Sequence, residues 1–329
     1  MPYWDMNLEH LESFRPGLEA PSDFDERWYQ TLTEARQHDP DVQLHRSPAP
    51  MTLIDVYDVT FSGFGGDPVR AWLLRPHGVT ADLPLVIEYN GYGGGRGLAH
   101  ERLLWAAAGY AYLLMDSRGQ GSAWGSGGDT ADASGGGDAG APALPGFMTR
   151  GILDFDTYYF RRLITDAVRA IDAAAHIPGI DQSRIAVTGA SQGGGLAIAA
   201  AGLAPGVSAA LVDVPFLCHI ERGIAIADQD PYQEVARYLA VHRLHHAAIM
   251  RTLSYVDGVH HAKRAHMPAL FSAGLRDDVC PPSTVYAAYH SWIGPARMVP
   301  YPYNSHEGGQ AYQQREQASF LREVWGGRE

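Results

Sequence analysis

From Thr52 to Phe61 apolar and polar residues alternate, and Val69 to Leu74 repeats the period less cleanly. Such alternation marks half-buried strands, and the Gly63–Asp67 turn between the two predicts an antiparallel hairpin. Leu83 to Tyr89 and Tyr110 to Met115 are short apolar runs, the pattern of strands covered on both faces. Between them, His100 to Ala108 reads as a crossover helix. Tyr158 to Ala175 carries Phe160, Leu163, Ile164, Ala167, Val168 and Ile171 at helical spacing. A strand at Ile185–Gly189, a helix at Gly193–Leu203 and a strand at Ala209–Val214 follow. Strands at Ala269–Ala273 and Ala296–Tyr301 flank a helix near Ser283–Trp292, and a last helix runs from about Gly309 to Val324.

Strand and helix alternating after an initial hairpin predict an α/β fold with a mostly parallel, doubly wound sheet. Residues 1–50 are polar and helix-prone, with Phe14, Phe24, Trp28 and Tyr29, and read as an N-terminal helical arm on the main body. Residues 219–262 read as a helical insertion, and with no linker in view 1–329 is expected to form a single domain. Arg118 to Gly151 is rich in glycine and shows neither period. A loop of that length is functional or disordered, and Trp124, Pro142, Pro145 and Phe147 favour an ordered one.

With 46% hydrophobic residues in 329, the chain can bury a large core, and wholesale disorder is excluded. Thirty-seven acids against 25 bases give a net charge of −12, which argues against nucleic acid or an anionic membrane as partner. Two cysteines, Cys218 and Cys280, make neither a disulfide framework nor a four-thiolate zinc site. Met1 to Asp5 shows no basic-then-apolar leader, and the most apolar stretch, Leu196–Leu217, is broken by Pro205, Gly206 and Asp213. A soluble, cytoplasmic protein is the expectation. The lone lysine, Lys263, has no surroundings that favour phosphate binding or Schiff-base chemistry.

The sharpest local signal is Gly189-Ala190-Ser191-Gln192-Gly193, where a predicted strand gives way to a predicted helix. That is the setting of a nucleophile elbow: the serine stands on a strained turn, and side chains two residues away on either side would collide. The Gln192 amide, at the helix N-terminus, can then face a developing oxyanion. Serine needs a base and an orienting acid, which in this topology follow in the order Ser, Asp or Glu, His. Asp277 and Asp278 follow one late strand, and spacing alone does not choose between them. His306 follows the next, and its rival His290 lies inside a helix. A second oxyanion donor is expected after Leu83–Tyr89, in Asn90-Gly91-Tyr92-Gly93-Gly94-Gly95, with the Tyr92 amide the natural candidate.

Weaker constellations carry less. His242, His245 and His246 have helical spacing but no matching carboxylates, His306-Glu307 is not followed by a second zinc-binding histidine, and Gly119-Gln120-Gly121 lacks the third glycine of a dinucleotide fingerprint. Neither metal nor cofactor is expected.

Taken together, these residues resemble the acetyl xylan esterase / cephalosporin C deacetylase family of carbohydrate esterases, which have the α/β-hydrolase fold. The likeness runs nearly end to end. It is carried by Tyr57-Asp58-Val59-Thr60-Phe61-Ser62-Gly63, by Gly91-Tyr92 with Gly94-Gly95-Arg96-Gly97, and by Asp116 with Arg118-Gly119-Gln120-Gly121. Gly189 to Gly195, Cys280-Pro281-Pro282-Ser283-Thr284-Val285 and His306-Glu307-Gly308-Gly309 complete it. The resemblance implies Ser191 as nucleophile, His306 as base and Asp277, three residues before Cys-Pro-Pro, as orienting acid. It also implies an oxyanion hole from the Tyr92 and Gln192 amides and support of the site loops by Arg118 and Gln120. Gly91, Trp124, Pro215 and Cys280 are expected to line or support the pocket. The implied substrate is a small acetyl ester, and the implied assembly a homo-hexamer, a trimer of dimers whose hairpin (Val56 to Leu73) joins the interface. Gly93, where the family often has asparagine, and the glycine-rich loop 125–140 depart from the pattern. Two other readings stand beside it: a serine peptidase of prolyl oligopeptidase type, and a non-catalytic α/β-hydrolase-fold interaction protein.

Overall fold

The computed structural model of the chain describes residues 5–133 and 141–326. Its strands are β1 (Gln43–Arg46), β2 (Ile54–Ser62), β3 (Pro68–Pro76), β4 (Leu83–Tyr89), β5 (Ala111–Met115), β6 (Ile180–Ala190), β7 (Ala209–Asp213), β8 (Ala269–Gly274) and β9 (Ala296–Tyr301). They lie side by side as β1-β2-β3-β5-β4-β6-β7-β8-β9. The β1, β2 and β3 pairings, including β3 with β5, are antiparallel, and those from β5 to β9 are parallel. This is the mostly parallel sheet with an antiparallel edge that the strand–helix alternation predicts.

Successive strand residues face opposite sides, and each side has its own core. Leu85, Ile87 and Tyr89 of β4 pack with α2 (Phe24–Ala35), α4 (Tyr159–Ala174) and α5 (Gln192–Leu203), whereas Val86 packs with α3 (Leu104–Ala107) and α11 (Gln310–Val324). Four helices fill the chain between β7 and β8: α6 (Ile220–Ile226), α7 (Tyr232–Val241), α8 (His246–Ser254) and α9 (Gly258–Ala262). In the arm, α1 (Leu8–Ser13) packs on α10 (Pro282–Ser291), while Trp28 of α2 is buried and donates its indole N–H to the Tyr255 carbonyl at 2.8 Å. Among the described residues no helix is long and apolar enough to cross a membrane.

Three elements differ from the sequence expectation. The crossover helix over 100–108 shrinks to a 3-10 turn at Ala99–Glu101 and the short α3, because Glu101 folds back onto the Leu98 amide and Arg102 turns away to Glu88. Strand β6 starts at Ile180, not Ile185, since Ile180 already pairs with Leu83 before an irregularity in register. Strand β1 has one apolar residue, Leu44, and exists because β2 offers it a free edge. In the glycine-rich loop, residues 134–140 lie outside the described residues, and Phe147–Thr149 form a 3-10 turn.

The hairpin is built into the sheet, and its turn is tied to the body by Arg118. This fully buried guanidinium binds Asp166 of α4 at 2.5 and 2.7 Å, Asp67 of the turn at 3.1 Å and Asp132 of the glycine-rich loop at 3.3 Å. Asp166 also accepts the Phe64 amide at 2.8 Å, and Asp132 pairs with Arg162. Removing one partner strands charge in a dry interior, which costs ~3–5 kcal/mol. Asp166→Ala should therefore lower unfolding stability by that amount in urea titration; a loss under about 1 kcal/mol would show that the network contributes little.

Candidate active site

Ser191 stands between β6 and α5 with φ 57° and ψ −121°, a left-handed backbone that a serine adopts only when its surroundings force it. The force is steric. A Cβ on Gly193 would lie 2.1 Å from the Tyr89 carbonyl oxygen, and one on Gly189 would lie 2.4 Å from the Gly193 carbonyl carbon. The crossing of strand and helix thus leaves room for hydrogen alone at both positions. Backbone bonds fix the turn from the β7 side: the Ser191 amide donates to Asp213 at 3.0 Å and the Phe216 amide to Ser191 at 2.9 Å.

His306 and Asp277 reach this turn from the loops after β9 and β8. The His306 Nδ1 lies 2.8 Å from Asp277 Oδ2, and Asp277 is fully buried. Its other oxygen accepts the Val279 and Cys280 amides at 2.9 and 2.8 Å, so the carboxylate is pinned from both ends. Asp278 instead accepts from Ser305, and His290 bonds Phe14 and Arg15 on a distant face, which separates both from the site. Burial opposes a charge on His306, yet its pKa stands above the ordinary imidazole value because Cys280 and Asp277 favour the imidazolium. Burial pushes the Cys280 thiol itself up to about 11, so it is neutral near pH 7 and the Asp277 carboxylate carries the effect. Glu307 accepts from Asn304 and the Ser305 amide and holds the histidine loop.

The two amides expected as oxyanion donors, those of Tyr92 and Gln192, find no acceptor among the described residues. The Gln192 amide is free because it opens α5. The groups around the Tyr92 amide are each bonded. The Gly93 amide donates to Gln120 Oε1 at 2.7 Å, the Gly94 amide to the Gly91 carbonyl at 3.1 Å, and Trp124 Nε1 donates to the Tyr92 carbonyl at 2.8 Å. Gln120 also donates to the Gln192 side chain at 2.9 Å, so one buried amide group links the supports of both free N–H groups. Gly94 is needed under Trp124, where a Cβ would lie 2.3 Å from the indole.

Ser191 and His306 line one cleft of about 880 Å³, with Gly91, Trp124, Glu88, Arg102, Glu307 and Gln310 among its walls. Of the residues expected in or behind the pocket, Gly91 and Trp124 face it. Arg118 and Gln120 are buried behind it, Pro215 packs against Gly194, and Cys280 lies fully buried beside His306. Pro215 and Cys280 are therefore not cleft walls: the chain turns inward at both to hold its neighbours. The groups of Asp277, Cys280 and His306 come within 4.8 Å of one another, but the Asp277 oxygens are already committed to His306 and two amides. His242 and His245 stack on each other at 5.4 Å, away from the cleft.

Three buried residues near the site carry no signal in a serine-hydrolase pattern. Asn90 donates to the Met115 carbonyl at 2.6 Å and accepts from Gln192 through its own carbonyl. Asp116 accepts four amides, from Arg96, Ser117, Asp129 and Thr130, and so ties the glycine-rich loop to the Gly91–Gly97 segment. Glu234 of α7 accepts the Tyr92 hydroxyl. Asn90 opens the segment expected to carry an oxyanion donor and Asp116 stands beside the Arg118 motif, whereas Glu234 lies in no motif.

Comparison with known proteins agrees with this geometry. Acetyl esterase Axe7A of Xylanibacter ruminicola is 32% identical over 166 residues, which take in 49% of this chain and 36% of that esterase's length. An acetyl xylan esterase from Paenibacillus sp. R4 superposes with a TM-score of 0.88 at 37% identity, covering 97% of this chain and 99% of its own. Acetyl xylan esterase 1 from Thermoanaerobacterium sp. JW/SL YS485 does so with a TM-score of 0.84 at 31% identity, over 98% and 99%. Acylaminoacyl peptidase of Pyrococcus horikoshii aligns at 15% identity and a TM-score of 0.56 over 84% of this chain and 42% of its own, a likeness of fold alone. The acetyl xylan esterase (AXE1) family matches residues 1–324, so the chain belongs to the acetyl xylan esterase family of carboxylic ester hydrolases, with the α/β-hydrolase fold.

Proposed function

We propose that this chain is a serine esterase that removes acetyl groups from small acetylated substrates, acetylated xylo-oligosaccharides and cephalosporin C-type esters among them. The observation that carries the reading is a serine in strained left-handed backbone, sharing a cleft with a histidine whose Nδ1 is bonded to a buried carboxylate. Ser191 attacks the acetyl carbonyl carbon while His306 takes its proton. The carbonyl oxygen becomes an oxyanion bonded by the Tyr92 and Gln192 amides, each worth ~2.7–4 kcal/mol in the transition state. Collapse expels the alcohol, protonated by His306; water, deprotonated by the same histidine, then releases acetate and restores Ser191.

A cleft of about 880 Å³ far exceeds an acetyl group, so most of it is available to the alcohol portion. Trp124, 47% exposed, offers that portion a flat apolar face. The peptidase reading rests on fold likeness at 19% identity or less, and an interaction protein has no use for the assembled Ser191, Asp277 and His306. Family resemblance also supports a homo-hexamer, and two free, buried cysteines fit a reducing, cytoplasmic setting.

Hydrolysis of a chromogenic ester series from acetyl to octanoyl tests the activity. Acetyl should be fastest, and Ser191→Ala should lose at least ~10³-fold in kcat; an unchanged mutant would remove Ser191 as nucleophile, and faster long-chain esters would remove the acetyl preference. The neutral form of His306 is the base, so kcat/KM should rise with pH through a pKa above the ordinary 6.5. In Asp277→Asn the charge that favours the imidazolium is gone. The rising limb should then move to lower pH, while kcat falls about 10⁴-fold through loss of the correct tautomer; a limb that stays in place would detach Asp277 from His306. Light scattering should give six times the 35.8 kDa chain mass, and a particle of one chain would overturn the hexamer.

A further inference from the structure

The Gly91–Gly97 segment is neither helix nor strand, so the direction of the free Tyr92 amide depends on what grips the residue around it. The carbonyl is gripped by Trp124 and the next amide by Gln120, as described above. The side chain is gripped more firmly still. Tyr92 turns away from the cleft toward α7, and its hydroxyl lies 2.8 Å from both carboxylate oxygens of Glu234. The same hydroxyl accepts the Phe147 amide at 2.8 Å, with the Gly146 and Met148 amides at 3.3 Å. The Met148 amide also reaches Glu234 Oε2 at 3.2 Å, and the rings of Phe147 and Phe216 stand edge-on to Tyr92 at 5.5 and 6.2 Å.

Glu234 is 9% exposed, and among the described residues no arginine or lysine forms an ion pair with it. Arg237 favours its charge only from beyond ion-pair distance, and a buried carboxylate without an ion-pair partner is expensive and is tolerated only where its hydrogen bonds matter. Here those bonds go to Tyr92 and to the backbone that seats the Tyr92 hydroxyl. A phenol locked at its far end leaves the tyrosine backbone little freedom to change the direction of its amide.

We infer that Glu234 is the positioning residue of the oxyanion hole: by holding the Tyr92 hydroxyl, it aims the Tyr92 amide at the oxyanion. The inference rests on the esterase reading and adds to it a task for the helical segment between β7 and β8, far from Ser191 in sequence. Glu234 touches neither substrate nor reacting atoms. It acts through Tyr92, so its loss should spare substrate binding and penalise the step in which charge develops on oxygen.

The test compares Glu234→Ala, Glu234→Gln and Tyr92→Phe with the parent on 4-nitrophenyl acetate. The inhibition constant for a trifluoromethyl ketone, which adds to the serine as a tetrahedral oxyanion, is measured for each. Glu234→Ala and Tyr92→Phe should lower kcat about 10- to 100-fold with KM within about two-fold. The ketone should weaken in parallel with kcat/KM. Glutamine, which still accepts from the phenol, should restore most of the rate. The Glu234→Ala/Tyr92→Phe double variant should lose no more than the worse single one, since each single variant already removes the Tyr92–Glu234 bond. A normal kcat with only a lowered melting temperature would overturn the inference, as would a loss confined to KM or ketone binding that does not follow kcat. If Glu234→Ala fails to fold, Tyr92→Phe and Glu234→Gln decide the matter by the same criteria. Absence of acetyl ester hydrolysis in the parent would overturn the esterase reading instead, a result distinct from any of these.

Discussion

Helix α5 begins so close to strand β4 that a Cβ on Gly193 would lie 2.1 Å from the Tyr89 carbonyl oxygen. This contact dictates the rest of the candidate site. It lets the helix start directly beneath the turn, holds Ser191 in the left-handed region and leaves the Gln192 amide without a partner at the helix end. Positive φ costs about 1–3 kcal/mol, and the cost is borne by a sheet whose central strands and α5 are almost wholly buried. Ser191 therefore stays accessible at the turn while the glycines two residues to either side, Gly189 and Gly193, are buried.

Around that rigid centre the loops are held by carboxylates that accept backbone amides, where helix or strand bonding is absent. Asp116 takes four amides and joins the glycine-rich loop to the segment that carries Tyr92. Asp277 takes two and thereby presents its other oxygen to His306. Asp257 takes those of His219, Ile220 and Val259, fastening the start of α6 to the start of α9; burial pushes its pKa up to about 6. Irregular backbone must find acceptors somewhere, and a charged acceptor makes bonds about twice as strong as a neutral one. In an acidic protein such acceptors are plentiful, which gives the −12 net charge a structural use.

The same framework supports peptidases, whose solved structures align at 13–19% identity. In this chain the segments between the strands shape the surroundings of the cleft. The glycine-rich loop brings Trp124 over Gly91 and Gly94, and α7 brings Glu234 to Tyr92. Trp124 lines the cleft, and Glu234 reaches it only through the segment that carries Tyr92.

The alternation in β2, the apolar runs of β4 and β5, and the elbow Gly189–Gly193 were legible because each encodes a local constraint: a two-residue pleat, burial on both faces, a clash that only glycine avoids. Ser191 and His306 could be named as candidates on the same footing. The choice between Asp277 and Asp278 could not come from spacing, because neighbours in a loop differ only in which one the fold buries. The crossover helix over 100–108 was misread because Arg102 has a partner, Glu88, that lies on another strand. Glu234 was invisible for the like reason: a glutamate in a helical insertion has no pattern until the chain brings Tyr92 against it. By itself the sequence determined the fold class, the tight turn at Ser191 and the order of the candidate triad, since short-range sterics and periodicity suffice for these. Only the tertiary structure decided which buried carboxylate meets which loop, because burial and long-range contact are properties of the assembled sheet.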